Sequence, residues 1–130
     1  MTSSPDVSEE KLTVLVAEDE AMLRAVVRET LRRSGFHVLE AADGADGLEI
    51  LKSATPIDLL LTDIKMPRLN GYQLAEACLS LRPATRVILM TGYADEMVPD
   101  AIRAASIPVL RKPFDFANLA KSVREAIESR

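Results

Sequence analysis

Glu18, Asp19, Asp63, Thr91 and Lys112 each stand at the end of a short, mostly apolar run. TVLVA at Thr13–Ala17 leads into Glu18 and Asp19, and PIDLLLTD places Asp63 near the end of a stretch that Pro67 must already have closed. RVILM leads into Thr91, and IPVLR into Lys112. Such runs suit buried strands of a parallel sheet. The carboxyl ends of those strands share one edge, where open α/β sheets place their chemistry. Three carboxylates on one edge repel one another unless a cation joins them. Oxygen donors select a hard ion, and two or three carboxylates with waters suit Mg²⁺. The lone histidine, His37, begins a different strand, which argues against zinc. Mg²⁺ beside a lysine suits a phosphoryl group, whose oxygens both cations neutralise and to which the Thr91 hydroxyl can donate. A carboxylate can accept that group as an acyl phosphate. Asp63, central among these residues, is the candidate nucleophile, with Glu18 and Asp19 as metal holders. Taken alone, Asp63 reads equally as a turn residue; for the whole group the lesser alternative is a generic acidic rim.

The elements that must position these residues alternate along the chain. After the first strand, a helix carries Leu23, Val26, Val27, Thr30 and Leu31 on one face and ends at Gly35. Phe36–Glu40 reads as a second strand, and Asp43 as the cap of a helix bearing Leu48 and Leu51. The third strand follows Pro56. Asn70 and Gln73 have capping-box spacing ahead of a helix that should bury Leu74, Cys78 and Leu81. A fourth helix is expected within 96–105, with Pro99 near its start. Ile107–Arg111 is a short fifth strand, and Pro108 points to an edge or a strand entrance. Asp115 caps the last helix, with Phe114 and Leu119 spaced as a hydrophobic staple and Phe116, Leu119, Val123 and Ile127 as its buried stripe. Five strands alternating with five helices predict a (βα)5 α/β fold, with right-handed crossovers placing helices on both faces of a parallel sheet.

Composition narrows the function classes. The chain has 130 residues, enough for one domain, preceded by a polar tail over residues 1–11 that should be disordered. Its net charge of −4 arises from 16 basic and 20 acidic residues with no basic block, which argues against direct nucleic-acid binding. No run is long enough for a transmembrane helix and no apolar signal segment opens the chain, so a cytoplasmic location is expected. The single cysteine, Cys78, excludes an internal disulfide and fits an apolar helical stripe.

The motifs VLVAEDE at Val14–Glu20, LLLTDIKMPRLNG at Leu59–Gly71, ILMTG at Ile88–Gly92 and LRKPF at Leu110–Phe114 together resemble the receiver domains of two-component response regulators, over residues 12–128. The resemblance implies a flavodoxin-like strand order 2-1-3-4-5 in a three-layer αβα sandwich, with the receiver domain spanning 12–130. It implies that Asp63 accepts phosphate from the phosphohistidine of a sensor histidine kinase or a histidine phosphotransfer protein, with Mg²⁺ as cofactor. Glu18 and Asp19 look like the family's acidic pair, and Lys65 like the residue whose backbone carbonyl completes the metal shell. Thr91 resembles the switch hydroxyl, Lys112 the invariant lysine, and Pro113 the residue that follows it in a cis peptide bond. Self-phosphorylation and slow self-dephosphorylation are implied, rather than turnover of an external substrate.

One position departs from the pattern. The family often places an aromatic residue three before the lysine, where this chain has Val109. Valine has no ring to rotate, so the conformational signal should pass through the loop after Thr91, where Tyr93 is a candidate, and through helix position. The output is expected to be protein contact with an unknown downstream target, by a monomer or weak dimer. A receiver fragment of a hybrid histidine kinase, acting only as a phosphate relay or sink, is the alternative. A haloacid-dehalogenase-type phosphatase needs an aspartate two residues after the nucleophile, where Lys65 stands. A flavodoxin-like electron carrier needs a hydroxyl- and glycine-rich loop where Glu18, Asp19 and Glu20 would repel the flavin phosphate.

Overall fold

Alternation of the strand side chains builds two cores, one on each face of a single sheet. Val14, Val16, Leu59, Leu61, Ile88 and Met90 point to one face, and Leu15, Ala17, Leu60, Val87 and Leu89 to the other. The computed structural model describes residues 11–92, 99–112 and 115–128. Its strands are β1 (Thr13–Ala17), β2 (His37–Ala41), β3 (Leu59–Asp63), β4 (Arg86–Thr91) and β5 (Val109–Arg111). Its helices are α1 (Ala21–Arg33), α2 (Gly44–Lys52), α3 (Gly71–Leu81), α4 (Asp100–Ala104) and α5 (Phe116–Glu128). All strand pairs are parallel, in the order β2-β1-β3-β4-β5. α1 and α5 cover the first face through Val27, Leu31, Leu119, Val123 and Ile127. α2, α3 and α4 cover the second through Leu51, Leu74, Ala75, Cys78 and Ile102. The result is the expected flavodoxin-like three-layer αβα sandwich.

Local signals set most helix boundaries. Asp43 accepts the Asp46 N–H at the start of α2. Asn70 and Gln73 form the complete capping box of α3. Asp115 accepts the Ala117 N–H ahead of α5. Gly35 takes a φ of +96° after α1, a left-handed position that glycine occupies without a Cβ penalty. Cys78 is fully buried, and burial pushes its thiol up to about 11, which leaves it inert at neutral pH.

Three apolar residues expected inside lie outside. Val26, Leu81 and Phe116 are all exposed; Leu81 is the last residue of α3 and Phe116 the first of α5. Two strands also shift. Phe36 donates its N–H to Leu31 O within the α1 terminus, so β2 starts one residue later, at His37. β5 begins only at Val109; Pro108 has no N–H for the ladder, though its carbonyl still accepts the Leu89 N–H. Residues 1–10 of the expected tail, together with Tyr93, Pro113, Phe114 and residues 96–98 of the expected fourth helix, lie outside the described residues.

Candidate functional site

The parallel register brings the polar strand ends together. Glu18 follows β1, Asp63 ends β3 and Thr91 ends β4, while Lys112 follows β5. Glu18 and Asp63 are 1% and 8% exposed, whereas Asp19 is open to solvent. One carboxylate oxygen from each of Glu18, Asp19 and Asp63 lies within 4.8 Å of the others. The Lys112 ammonium enters from the β5 side, with Nζ 3.1 Å from Asp63 Oδ2 and 3.3 Å from Glu18 Oε1. The second Asp63 oxygen, Oδ1, accepts the Ile64 N–H at 2.8 Å, and the second Glu18 oxygen accepts the Glu20 N–H at 3.0 Å. These donors fix both carboxylates before any ligand arrives.

The electrostatics are those of a site with too much negative charge for one lysine. Burial pushes the Glu18 carboxyl up to about 7; the Glu20 N–H opposes the rise, the Asp63 charge adds to it, and Lys112 pulls it down. Burial also works against the Lys112 charge, but the hydrogen bond and charge of Asp63, with those of Glu18, outweigh it and raise the lysine's pKa. The donor set is all oxygen, and a hard divalent cation fits it. Beside it an open cleft of about 480 Å³, lined by Asp19, Lys65, Met66, Pro67, Asn70 and Tyr72 among others, gives access from solvent.

A pH dependence of stability follows. Glu18 binds its proton more tightly in the folded chain than in the unfolded one. Its contribution is therefore fully present below about pH 4.5 and is lost as pH rises through about 7. A rise of that size corresponds to roughly 3 kcal/mol. In EDTA, thermal unfolding followed by circular dichroism should show the wild type losing stability from pH 5.5 to pH 8. Glu18→Gln should flatten most of that slope. Equal slopes in both proteins would rule out Glu18 as the source of the effect.

Of the other expected residues, Thr91 is buried and its carbonyl accepts the Lys112 N–H at 2.7 Å, joining the ends of β4 and β5. Lys65 is exposed on the cleft wall. Val109 pairs with Leu89 on the edge strand and is 42% exposed, away from the carboxylates' strand ends by two residues of β5 and Lys112. Two supporting residues carried no clear signal in the sequence. Arg24 donates from Nη1 to the Glu18 carbonyl at 2.8 Å, and its Nε reaches Glu40 on β2 at 3.3 Å, so one side chain ties the acidic turn to the neighbouring strand. Gly71 approaches β3 so closely that a Cβ there would lie 2.1 Å from the Asp63 carbonyl oxygen. Arg24 looks like any polar helix position. Gly71 closes the LLLTDIKMPRLNG motif, but nothing in the sequence shows what it touches.

The same segment of chain matches known proteins. A family model described as the response regulator receiver domain matches residues 14–124. The transcriptional regulatory protein PdtaR of Mycobacterium tuberculosis is 36% identical over 115 residues, which is 88% of this chain and 56% of PdtaR, so this chain spans only about half of that relative. The response regulator receiver protein CpdR of Brucella abortus is 32% identical over 88% of this chain and 95% of its own length. The crystal structure of a response regulator receiver protein from Sinorhizobium medicae superposes with a TM-score of 0.80 at 32% identity, covering 94% of this chain and 98% of that one. Family model, sequence relatives and solved structure agree over nearly the whole fold, and the chain belongs to the response regulator receiver domains, whose fold is typical of two-component phosphorelay acceptors.

Proposed function

We propose that this receiver domain, spanning 12–130, accepts a phosphoryl group on Asp63 from the phosphohistidine of a sensor histidine kinase or a histidine phosphotransfer protein. The observation that carries the reading is the meeting of Glu18, Asp19 and Asp63 within 4.8 Å, with the Lys112 ammonium 3.1 Å from Asp63. Glu18, Asp19, Asp63 and the Lys65 backbone carbonyl would hold Mg²⁺. When bound, Mg²⁺ supplies positive charge to the transferring oxygens.

An Asp63 carboxylate oxygen attacks phosphorus, the P–N bond to the donor imidazole breaks, and the imidazole keeps the electron pair and takes up a proton from water. Lys112, already held between Asp63 and Glu18, turns its charge to the arriving phosphoryl oxygens, and the Thr91 hydroxyl donates to one of them. The site is pre-organised for this because the Ile64 N–H fixes one Asp63 oxygen and leaves the other on the lysine side.

The hydrogen bond from Lys112 N–H to the Thr91 carbonyl makes β4 and β5 move together when the new charge arrives. Val109 offers no ring for a rotamer change, so the response favours Tyr93, Pro113 and the position of α4. The output is a changed protein–protein contact. Among the described residues no helix is long and apolar enough to cross a membrane. The setting that suits a kinase-fed acceptor is the cytoplasm, where the domain works as a monomer or weak dimer.

The test is incubation with a phosphorylated histidine kinase, read by intact mass and by loss of the donor's phosphate. In Mg²⁺ the chain should gain one phosphoryl group, and in EDTA transfer should fall by on the order of a hundredfold or more. Transfer that proceeds equally well in EDTA defeats the metal assignment, and no transfer from any kinase or phosphotransfer protein of the source organism defeats the function.

A further inference from the structure

Glu18 and Asp19 share one peptide group, and a side chain from outside their turn holds it. Glu18 is anchored at every polar atom. Its N–H donates to the Ala41 carbonyl at 3.1 Å, Oε2 accepts the Glu20 N–H at 3.0 Å, and Oε1 accepts from Lys112 Nζ at 3.3 Å. Its backbone carbonyl, the oxygen of the Glu18–Asp19 peptide, accepts from Arg24 Nη1 at 2.8 Å. Asp19 has no such anchors: it is exposed, and among the described residues no hydrogen bond or ion pair holds its carboxylate. The direction of that carboxylate therefore follows its backbone, and the planar Glu18–Asp19 peptide sets the backbone.

The Arg24 guanidinium is itself held in place. Its Nε donates to Glu40 Oε1 at 3.3 Å, and Arg28 Nη1 reaches both Glu40 oxygens at 3.3 and 3.2 Å. Glu40 pairs with Val16 across β1 and β2, so it stands on the α1 side of the sheet. Both side chains are half-buried. Helix stability does not account for the arrangement. Arg24 lies in the first turns of α1, where its N–H donates to the Glu20 carbonyl, and a cation near a helix N-terminus opposes the macrodipole. Asp43 and Asn70 cap α2 and α3, but Glu20 gives α1 no side-chain cap. The side-chain tie between the acidic turn and α1 is the bond from Arg24 to the Glu18 carbonyl.

We propose that Arg24 is a positioning residue for the metal site: Glu40 sets its guanidinium, the guanidinium fixes the Glu18–Asp19 peptide, and that peptide aims the Asp19 carboxylate at the cation shared with Glu18 and Asp63. The inference rests on the Mg²⁺ reading above. Charge and position act here with opposite signs. Losing the Arg24 charge leaves the acidic cluster more negative, which by itself attracts a dication more strongly. Losing its hold on the peptide weakens binding, because Asp19 must then be ordered at the moment the metal arrives.

The experiment is calorimetric titration with Mg²⁺ of the wild type, Arg24→Met, Arg24→Lys, Glu40→Gln and Asp19→Asn, with the Asp19 backbone ¹⁵N resonance followed in the metal-free state. Arg24→Met should bind Mg²⁺ about tenfold more weakly in spite of the lost cation. Glu40→Gln should weaken binding less, because Arg24 keeps the Glu18 carbonyl. Arg24→Lys, which keeps the charge but not the two-sided fork, should fall between the wild type and Arg24→Met. The Asp19 nitrogen belongs to the peptide that Arg24 holds, so its resonance should move in Arg24→Met with no metal present. Unchanged or tighter Mg²⁺ binding in Arg24→Met, or an unmoved Asp19 resonance, overturns the proposal. Should Arg24→Met fail to fold, wild-type affinity in Arg24→Lys overturns it instead. A wild type that binds no Mg²⁺ overturns the metal reading and this inference with it. Binding that Asp19→Asn weakens and Arg24→Met leaves unchanged overturns the inference alone.

Discussion

Asp63→Asn should abolish phosphoryl transfer to this chain while leaving its fold intact. The amide is nearly the same size as the carboxylate, so the end of β3 keeps its packing. Its oxygen can still accept the Ile64 N–H that Asp63 Oδ1 accepts now. Its NH₂ group would then face the Lys112 ammonium, donor against donor, where Oδ2 now accepts at 3.1 Å. That loss is limited, because Lys112 keeps Glu18 Oε1 as a partner. Removing one of three clustered carboxylates also relieves the repulsion that helps raise the Glu18 pKa. Net stability should therefore change by no more than about 1 kcal/mol. The chemistry has no such reserve. An amide oxygen is a poor nucleophile and forms no stable acyl phosphate, so transfer should drop by on the order of a thousandfold or more. The measurement is intact mass after incubation with a phosphorylated histidine kinase in Mg²⁺, with unfolding followed in parallel. Labelling of the variant at the wild-type level would place the acceptor on another residue. Loss of labelling together with loss of fold would leave the nucleophile unassigned, and Asp63→Glu, which keeps the charge but moves it outward, would then be the informative variant.

The sequence shows why this site is legible at all. Each strand is a short apolar run that stops at a polar residue, and a parallel sheet turns those separate stops into neighbours. Glu18, Asp63, Thr91 and Lys112 could be grouped without knowing a single contact. Caps were legible for a similar reason: Asp43, Asn70, Gln73 and Asp115 act within three residues of their own positions. What escaped depends on contacts between elements. Val26, Leu81 and Phe116 have the spacing of buried residues, but their exposure is set by how far the neighbouring surface extends. β5 lost two residues because ladder geometry, rather than apolar character, decides where an edge strand begins. Arg24 reaches the Glu18 carbonyl from the next element, and no periodicity in the chain encodes that contact.

Gly71→Ala should be among the most damaging single-methyl changes in the protein, and it should act on Asp63. A Cβ at Gly71 would lie 2.1 Å from the Asp63 carbonyl oxygen, 2.7 Å from Ile64 Cα and 2.9 Å from the Asp63 carbonyl carbon. All three atoms are backbone, so no side chain can swing aside. β3 cannot recede either, because it is held between β1 and β4, and the Asp63 carbonyl already accepts the Thr62 hydroxyl. The start of α3 must move instead. That motion breaks the Gly71 N–H bond to the Ile64 carbonyl at 2.8 Å and drags the Asn70–Gln73 capping box with it. The expected cost is roughly 2–4 kcal/mol. Gly47→Ala is the matched control. There the nearest atom is Leu74 Cδ2 at 2.9 Å, the far end of a flexible side chain, and alanine brings a helix-propensity gain of about 1 kcal/mol in the interior of α2. Urea unfolding should therefore rank Gly71→Ala well below Gly47→Ala. At a temperature where both variants remain folded, phosphoryl transfer per folded molecule should fall only in Gly71→Ala, because the displaced start of α3 pulls on the segment 64–70, which carries the Lys65 carbonyl proposed to hold the metal beside Asp63. Equal stability of the two variants would show that α3 yields without effort and that Gly71 does not seat the acceptor. Lower stability with undiminished transfer would confine its role to packing.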